Sequence, residues 1–285
     1  MLRERYGYGR VMKEEKGFNN ICITQTAATI CGLLGIPSHE GAAAPISEVL
    51  EKAGEAFGGA ACDRVFFYNP DAVAMWIYEK YQDYFIGLEK RAGLRLPELS
   101  VVPPVTPVCF GSMYSGMQPG QHGIQKYEKP VLKVNTVFDD AAAAGKKAAI
   151  VSTEGDSISK IFLERPMDYF IYPSKEECNE KAMELIEEDR HDLIVLYNGD
   201  YDYQMHRHTP EGRRPLKALR ENIETFSRIY DRIGECWKSH NSVVAFAPDH
   251  GCHRACLILG NHGIDKPCDM NIMHFYGFLD GNKGE

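Results

Sequence analysis

Aspartate and histidine residues recur in the second half of the sequence at spacings that suit chelation of metal ions. Asp202 and His206 lie four residues apart, and Asp249 and His250 are adjacent and followed by Gly251. Residues four positions apart share one face of a helix, and neighbouring residues in an irregular turn can face one cation. Both pairs are therefore candidate metal ligands.

The conformation around the first of these pairs is left open by the sequence. His208 follows His206, and Pro210 comes soon after, so a loop fits this segment as well as a helix does. Either geometry permits chelation. Asp200 is a rival to Asp202 as a ligand, but only Asp202 has the four-residue spacing to His206.

Two further residues become informative when they are considered together with these pairs. His262 lies in a turn-like segment, and Thr106 precedes Pro107 in a proline-rich stretch that predicts a short helix beginning near Pro107. A hydroxyl there would lie at a helix N-terminus, where free N–H groups favour negative charge. Taken singly, His262 is more typical of an ordinary hydrogen-bonded histidine, and Thr106 of a helix cap.

The nine cysteines suit free thiols in a reducing compartment, because their number is odd and they are scattered along a chain too long to need stapling. Cys252, His253 and Cys256 form a potential zinc cluster. Three ligands without a second pair nearby argue against structural zinc at this position.

Four short apolar runs predict buried strands that position the candidate ligands. These runs alternate with helical patterns, which favours a parallel sheet with helices on both faces. Three of the runs lead directly into Asp71, Asp200 and Asp249. Because ligands of such folds bind beyond the carboxyl ends of the strands, we expect the site at that edge. The runs cover residues 64–69, 148–152, 192–198 and 242–248.

Helix signals separate these runs. Ser174 with Glu177 has the pattern of a capping box, and Thr136 precedes a short alanine-rich helix that Gly145 closes. A long helix is predicted over residues 215–237, where apolar residues recur every three or four positions. That apolar stripe indicates core packing.

Composition limits the class of protein. The chain has 285 residues, of which 44% are hydrophobic and 25% charged, and these values predict one globular α/β domain. Within it we expect a mainly helical segment over residues 1–62 and a catalytic core over residues 63–279. A net charge of −8 argues against a broad nucleic-acid surface, which would need clustered Lys and Arg.

The chain also lacks the patterns of membrane and secreted proteins. Its first residues, MLRERYGYGRVMKEEKG, are charged and have no apolar core of a signal peptide. No stretch reaches the eighteen or so uninterrupted apolar residues that a membrane-spanning helix needs. We therefore expect a cytoplasmic protein without a membrane partner.

The order of the motifs resembles the alkaline phosphatase superfamily, and especially its nucleotide pyrophosphatase/phosphodiesterase branch. In that branch a strand-terminal Asp is followed by Thr-x-Pro-Asn, Thr-Gly, Pro-x-x-His-Gly-Ile, Asp-x-x-x-His, Asp-His-Gly and Gly-x-His-Gly. The resemblance extends over roughly residues 64–279. The matching positions are Asp71, Thr106, Ser115–Gly116, Pro119–Ile124, Asp202–His206, Asp249–Gly251 and Gly260–Gly263.

The resemblance implies a three-layer α/β/α sandwich with a mostly parallel central sheet. It also implies a reduced or absent cap domain, since the interval between His250 and His262 is short. Thr106 would be the nucleophile, beside two divalent metal ions that in this family are usually zinc and sometimes manganese. The implied ligands are Asp202, His206 and His262 for one ion, and Asp71, Thr106, Asp249 and His250 for the other.

Two departures from the family pattern concern the site. Ala72 follows Asp71 where the family usually has Gly, and Cys109 stands where the branch often has an Asn that helps to hold a phosphate oxygen. Cys109 and His208 are the predicted substrate contacts. The C/S-x-P-x-R context of sulfatases is provided by neither Thr106 nor Cys109.

The expected substrate is a small anionic phosphate ester. Our hypothesis is a phosphodiesterase that forms a phosphothreonine at Thr106, which a hydroxide on the Asp202/His206/His262 metal then hydrolyses. Three carboxylates and one alkoxide would balance the four positive charges of two divalent ions. Phosphomonoesterase, phosphonate hydrolase and phosphomutase chemistry remain alternatives, as does a non-catalytic metal-binding relative.

Overall fold

Ten strands lie within residues 17–281, which are the residues that this computed structural model describes. The charged start of the chain, residues 1–16, falls outside them, as do residues 282–285. Eight strands form one sheet and two form a small hairpin. The strands are β1 (Ile21–Cys22), β2 (Arg64–Pro70), β3 (Leu94–Leu99), β4 (Ala148–Thr153), β5 (Asp168–Tyr172), β6 (Leu193–Asn198), β7 (Ser242–Phe246), β8 (His253–Arg254), β9 (Gly260–Asn261) and β10 (Asn271–Leu279).

The order across the large sheet is β1-β3-β10-β7-β2-β6-β4-β5. Strand β10 pairs antiparallel with both β3 and β7, whereas the other neighbours in this sheet pair in parallel. The sheet is therefore mostly parallel, as predicted. Strands β8 and β9 form the antiparallel hairpin.

Twelve α-helices connect the strands within the described residues, and a short 3-10 turn over Ile23–Gln25 precedes the first of them. The helices are α1 (Thr26–Leu33), α2 (Ser47–Ala56), α3 (Met75–Lys80), α4 (Gln82–Glu89), α5 (Thr106–Ser115), α6 (Pro119–His122), α7 (Val137–Ala143), α8 (Ser157–Ile161), α9 (Lys175–Glu188), α10 (Asp200–Arg207), α11 (Arg213–Cys236) and α12 (Pro267–Met270).

Both faces of the sheet are buried under helices. In β2, the side chains of Val65 and Phe67 belong to one hydrophobic core and those of Phe66 and Tyr68 to the other, and all four are fully buried. Alternate residues of a strand point to opposite faces, so a strand buried on both faces has an uninterrupted apolar run. Helices α1, α2, α5, α7 and α8 cover the first face, and α3, α4, α9, α10 and α11 cover the second. The three-layer α/β/α prediction is confirmed.

The four predicted strands correspond to β2, β4, β6 and β7, and the predicted helices to α7, α9 and α11. The Ser174 side chain accepts a hydrogen bond from the Glu177 backbone N–H at 3.2 Å, as expected of a helix cap. Strands β1, β3, β5 and β10 were not predicted, because polar residues and Pro97 interrupt their apolar patterns. Their positions in the sheet depend on pairing with strands distant in sequence.

Residues 17–62 add two α-helices and the two-residue strand β1, which pairs with β3, to the domain. The division of the chain at residue 62 remains a prediction. Within residues 17–281, no helix combines the length and apolar character needed to cross a lipid bilayer.

His39 attaches the loop between α1 and α2 to the rest of the domain. Its Nδ1 lies 2.7 Å from Asp140 Oδ2, and its Nε2 lies 2.9 Å from the Ser115 carbonyl oxygen. Both partners are acceptors, so only the protonated imidazole can donate both hydrogen bonds. The bond to Asp140 raises the pKa of His39 above 6.5, although burial opposes this shift.

We expect His39→Gln to destabilise the fold most at acidic pH. A raised histidine pKa contributes stability that is fully present below the unfolded-state pKa of about 6.5 and declines as the pH rises through the folded-state pKa. The loss should be about 1–3 kcal/mol at pH 6, as for hydrogen bonds to charged groups, and smaller at pH 9. Urea unfolding of both proteins across this range measures the difference. A pH-independent difference would contradict the charged form of His39.

Candidate active site

Three adjacent strands bring the predicted carboxylates to one edge of the sheet. Strands β7, β2 and β6 are neighbours, with Tyr68 paired to Phe246 and Pro70 paired to Asn198. Asp71 directly follows β2, Asp249 follows β7, and α10, which carries Asp202, begins two residues after β6. Since these strands run in parallel, their carboxyl ends meet, and the three carboxylates lie at this edge.

Asp71, Asp249 and His250 form the first group of potential metal ligands. One ligand atom from each lies within 4.8 Å of the others, and all three residues are buried. The Nε2 atom of His250 lies 3.3 Å from Asp71 Oδ1 and 3.4 Å from Asp249 Oδ2. These are three of the four residues that the resemblance assigned to one ion, the fourth being Thr106.

The hydrogen bonds around this first group leave its centre without a proton donor. Nδ1 of His250 lies 2.9 Å from the Gly251 carbonyl oxygen, an acceptor, so Nδ1 carries the hydrogen of the neutral ring. Asp71 Oδ1 and Asp249 Oδ2 are buried and have no hydrogen-bond partner among the described residues. When the ring is neutral, a nitrogen lone pair faces two carboxylate oxygens, and this arrangement needs positive charge between them, either a proton on Nε2 or a metal ion.

The pKa shifts of Asp249 and His250 have the same two causes, which are burial and the neighbouring negative charges. Burial, followed by the negative charge of Asp71, raises the pKa of Asp249 well above its usual range. Burial lowers the pKa of His250, but the charges of Asp249 and Asp71 outweigh it and raise this pKa to about 9. The carboxylates therefore attract positive charge strongly, whether as a proton or as a metal ion.

Asp202, His206 and His262 form the second group, again with ligand atoms within 4.8 Å of one another. Asp202 Oδ1 lies 3.3 Å from His206 Nε2 and 3.5 Å from His262 Nε2. Asp202 and His206 share one face of α10, so this segment is helical and the alternative of a loop does not apply. Asp202 Oδ1 has no hydrogen-bond partner among the described residues.

The two histidines of this second group direct their Nε2 atoms at the same point. His262 Nδ1 lies 3.0 Å from the Pro104 carbonyl oxygen and must donate to it, which leaves Nε2 without a hydrogen. That Nε2 lies only 3.1 Å from His206 Nε2. Burial, then the nearby His250, lowers the pKa of His262 to about 3, so its ring stays neutral and able to bind a metal.

The two groups belong to one site. The rings of His250 and His262 stack with centroids 4.1 Å apart, although they belong to different groups. Burial, followed by the negative charge of Asp202, raises the pKa of Asp71. The residues present therefore fit two cations held side by side.

Asp200, the rival ligand, points elsewhere. Its Oδ2 lies 2.5 Å from Lys175 Nζ, and its Oδ1 accepts from the Gln204 side chain at 3.4 Å. Asp200 therefore forms an ion pair with Lys175, whereas Asp202 Oδ1 faces the two histidines of its group. The structure thus favours Asp202 over Asp200.

A third group, His253, Cys268 and Asp269, differs from the first two in its hydrogen bonding. Asp269 accepts from His253 Nδ1 at 2.8 Å and from the Ile264 N–H at 3.0 Å, and the Cys268 thiol also bonds to it. These donors satisfy the carboxylate, so nothing there requires a metal. Cys252 is buried against Tyr201 and Cys256 is exposed, and the cluster considered from the sequence is not assembled.

Thr106 lies beside the first group of ligands. It is the first residue of α5, with Pro107 next and Val105 as the N-cap, so the hydroxyl is one position inside the expected cap. Its Oγ1 lies 3.3 Å from Asp71 Oδ2 and 3.4 Å from His250 Nε2. The hydroxyl is therefore within reach of the same cation site as Asp71 and His250.

An open cleft of about 640 Å³ borders this hydroxyl. Asp71, Thr106, Asp202 and His206 line it, so the predicted nucleophile and both ligand groups border one space. Charged and aromatic side chains from the segment between α6 and α7, from the loop after β4, from the start of α9 and from α10 also line the cleft. These include Tyr127, Lys129, Asp156, Lys175, Tyr203 and Arg207.

Tyr197 is a site residue that the sequence did not reveal. It lines the cleft, and its hydroxyl donates to Asp71 Oδ2 at 2.5 Å. Burial, then the charge of Asp71, raises the Tyr197 pKa well above its usual range, so the group stays a hydrogen-bond donor. The only signal was its position near the end of a strand predicted to lead into ligands.

The backbone conformation of Ala72 bears on one departure from the family pattern, the alanine that follows Asp71 in place of glycine. Its φ of 62° lies in the left-handed region, where glycine is favoured, and its N–H donates to Asp249 Oδ1 at 3.3 Å. Ala72 therefore adopts the conformation that the family's usual glycine would adopt more easily. Asp71 keeps its place beside Asp249 despite the substitution.

The structure does not place Cys109 or His208 at the cleft as predicted. Cys109 is fully buried on α5, and its Sγ lies 3.1 Å from Ser100 Oγ. This contact lies behind the loop that carries Asp249 and His250, which we call the ligand loop. His208 follows the end of α10, and its Nε2 lies 3.4 Å from Arg214 Nη1. Neither side chain lines the space beside Thr106. Side-chain direction, which the sequence does not specify, decides both cases.

Several solved structures share this fold. The chain superposes on human ectonucleotide pyrophosphatase/phosphodiesterase 5 with a TM-score of 0.58 and 13% identity, over 76% of this chain and 88% of that one. An inactive form of the murine protein in complex with AMP gives a TM-score of 0.53 at 15% identity, over 68% and 59%. Phosphonoacetate hydrolase from Sinorhizobium meliloti 1021 in complex with phosphonoformate gives 0.50 at 18%, over 66% and 56%.

These proteins belong to the alkaline phosphatase superfamily, and the fold implied by the motif order is confirmed. Identities of 13–18% establish the likeness of fold alone. The chain spans less than two thirds of the murine and bacterial proteins. No protein-family model matches the sequence, and no curated protein matches it either.

A matched pair of variants tests the second ligand group. We expect Asp202→Asn to lose zinc from that group, because it removes the only carboxylate, whereas Asp200→Asn should retain the metal content of the wild type. Both changes remove one charge from α10, which makes them comparable. Elemental analysis after dialysis against zinc gives the stoichiometry. Equal zinc loss in both variants, or loss only in Asp200→Asn, would refute the assignment.

Proposed function

We propose that this chain is a metal-dependent hydrolase of phosphate esters, with phosphodiester cleavage as its main reaction and Thr106 as its nucleophile. The observation that carries the proposal is the arrangement around one threonine hydroxyl. Three carboxylate oxygens without hydrogen-bond partners and three histidine Nε2 atoms converge next to it. Such groups are electron-pair donors that together call for cations.

Two divalent cations fit this donor set. Asp71, Thr106, Asp249 and His250 would hold one, and Asp202, His206 and His262 the other, with zinc favoured by the histidine content and manganese as the second choice. When bound, they supply Lewis-acid stabilisation of the phosphoryl oxygens and lower the pKa of the threonine hydroxyl. The three carboxylates and the threonine alkoxide then balance their four positive charges.

The chemistry assigned to Thr106 is a double displacement. The deprotonated Oγ1 attacks phosphorus, the bond from phosphorus to the leaving oxygen breaks with its electron pair going to that oxygen, which takes a proton from solvent, and a phosphothreonine forms that keeps the second ester group of a diester substrate. Water then attacks the same phosphorus, the bond to Oγ1 breaks, and the hydroxyl regains a proton from solvent. The place of Oγ1 on the first turn of α5 fixes its direction toward the cleft.

Tyr197 determines how Asp71 can act in this scheme. Its hydroxyl holds Oδ2 of the carboxylate, while Oδ1 faces His250 Nε2 without a hydrogen-bond partner. One oxygen is thereby fixed by a donor and the other is directed at the cation site. Such support of a metal ligand by a neighbouring hydrogen bond is a general feature of metal centres.

The cleft offers positive charge for an anionic ester beyond the metals. Lys129 Nζ donates to the Gly155 carbonyl oxygen at 2.8 Å, and Arg207 donates to the Tyr203 carbonyl oxygen at 3.0 Å. Both hydrogen bonds are to neutral carbonyls, although Asp156, which also lines the cleft, lies close enough to interact with the charge of Lys129. Both side chains line the cleft.

Phosphonate hydrolysis is the second candidate, favoured by the structural likeness to phosphonoacetate hydrolase. The likeness to the ectonucleotide enzymes, one of them in complex with AMP, favours the diester reaction instead. Phosphomonoesterase and phosphomutase chemistry would use the same nucleophile and donor set. A cytoplasmic location belongs to the proposal as well, on the basis of the free cysteines.

We expect Thr106→Ala to lower turnover by roughly three orders of magnitude or more on every substrate that the wild type hydrolyses. The change removes the attacking oxygen, and Thr106→Ser, which restores a hydroxyl, should recover a substantial part of the rate. The panel comprises a bis-aryl phosphate, a mono-aryl phosphate and phosphonoacetate, together with an activated sugar phosphate followed for isomerisation. Zinc content is measured on each variant in parallel.

Each result has a distinct meaning. Loss of turnover with metal retained in Thr106→Ala supports the nucleophile, and the fastest substrate class identifies the reaction. Most of the activity remaining in Thr106→Ala would refute the nucleophile assignment. Bound zinc in the wild type without turnover on any substrate would favour the non-catalytic relative.

A further inference from the structure

Three buried side chains donate hydrogen bonds to three consecutive carbonyl groups of the loop that carries Asp249 and His250. Asn69 Nδ2 donates to the Ala247 carbonyl oxygen at 2.7 Å. His274 Nε2 lies 2.7 Å from the Pro248 carbonyl oxygen, and Ser100 Oγ donates to the Asp249 carbonyl oxygen, also at 2.7 Å. The three donors come from β2, from β10 and from the residue after β3.

Each of these donors has a partner that fixes its orientation. The Tyr114 hydroxyl donates to Asn69 Oδ1 at 2.5 Å, which turns the amide NH₂ toward Ala247. Glu98 Oε1 lies 3.0 Å from His274 Nδ1, which holds the ring with Nε2 toward Pro248. Both His274 and Glu98 are fully buried.

Ser100 is oriented by Cys109. Its Oγ lies 3.1 Å from Cys109 Sγ, and either atom could donate in isolation. The single hydroxyl hydrogen of Ser100 already points to the Asp249 carbonyl oxygen, so the thiol must be the donor in this contact. Cys109 thus acts on the site from behind the ligand loop rather than from within the cleft.

We infer that Asn69, Ser100 and His274 form a carbonyl clamp that sets the positions of Asp249 and His250 for cation binding. This inference rests on the proposed function, because it assigns a purpose to the cation site. Bonds to three successive carbonyls fix the backbone of the loop from Ala247 to Asp249. The Asp249 carboxylate and the His250 ring then project from a rigid base to the same point.

The physical reason for such a clamp is the mutual repulsion of the ligands. Asp71 and Asp249 place negative charge side by side in a buried space, and without restraint the loop would move to separate them. Hydrogen bonds that do not involve the ligand atoms can hold the geometry without competing for the cation. Outer hydrogen bonds of this kind typically change metal affinity by about 10- to 100-fold.

We expect Ser100→Ala to weaken zinc binding at the first ligand group by about 10- to 100-fold. Turnover at saturating zinc should fall far less, because metal excess restores the occupied site. The matched control is Ser242→Ala, since Ser242 is also fully buried and donates to the His240 carbonyl oxygen at 3.2 Å, but at the opposite end of β7. Zinc affinity is measured by competition with a chromophoric chelator, and activity is measured as a function of free zinc.

Cys109 provides a second test that leaves all three donors of the carbonyl clamp in place. Cys109→Ala should weaken zinc binding, whereas Cys109→Ser, whose hydroxyl can donate to Ser100, should bind zinc nearly as well as the wild type. This pair decides the question even if Ser100→Ala fails to fold. Because zinc binding also stabilises the folded state, urea unfolding of the zinc-free variants is measured alongside, and weaker zinc binding at unchanged zinc-free stability separates positioning from folding.

The clamp is refuted if Ser100→Ala and Cys109→Ala bind zinc as tightly as Ser242→Ala does. Failure of the wild-type chain itself to bind zinc or to hydrolyse any substrate has a different meaning. That outcome would overturn the proposed function, and the clamp with it. The wild-type titration therefore distinguishes failure of the function from failure of the clamp alone.

Discussion

The structure depends on the close approach of histidine nitrogens and carboxylate oxygens, all of them electron-pair donors, in a buried space. Around Thr106, histidine Nε2 atoms face carboxylate oxygens at 3.3–3.5 Å, and the Nδ1 atoms of His250 and His262 donate to backbone carbonyl oxygens. Buried acceptors without donors are strongly unfavourable unless a cation lies between them. The fold must therefore hold these groups together against their own repulsion, and the surrounding elements can be understood as the means of doing so.

The parallel sheet meets this requirement through the adjacency of β7, β2 and β6. Parallel strands present their carboxyl ends at one edge, so Asp249, about 180 residues beyond Asp71 in sequence, comes within 4.8 Å of it. Helix α10 adds an i, i+4 pair on one face, and α5 directs Thr106 into the same space. The antiparallel β10 brings His274 to the Pro248 carbonyl oxygen of the ligand loop.

The segments that border the site belong to the core of the domain and to one small hairpin. The interval between His250 and His262 contains the small hairpin of β8 and β9, and the cleft beside Thr106 is bordered by loops of the core itself. A fold of this kind supports many reactions, so substrate preference must come from the side chains around the cleft. Here these include the cations Lys129 and Arg207 and the hydroxyl of Tyr197.

Local sequence by itself determined the buried strands, the capped helices and the residue types of the site, because hydrophobic periodicity and cap chemistry act over a few neighbours. The order of motifs added the pairing of ligands into two groups. Only the tertiary structure decided that the Asp202–His206 segment is helical, that Asp200 pairs with Lys175, and that Cys109 faces Ser100 rather than substrate. It also revealed Tyr197 and the donors to the ligand loop. These features depend on which way a side chain points and on what distant segment it meets, and packing of the whole chain sets both.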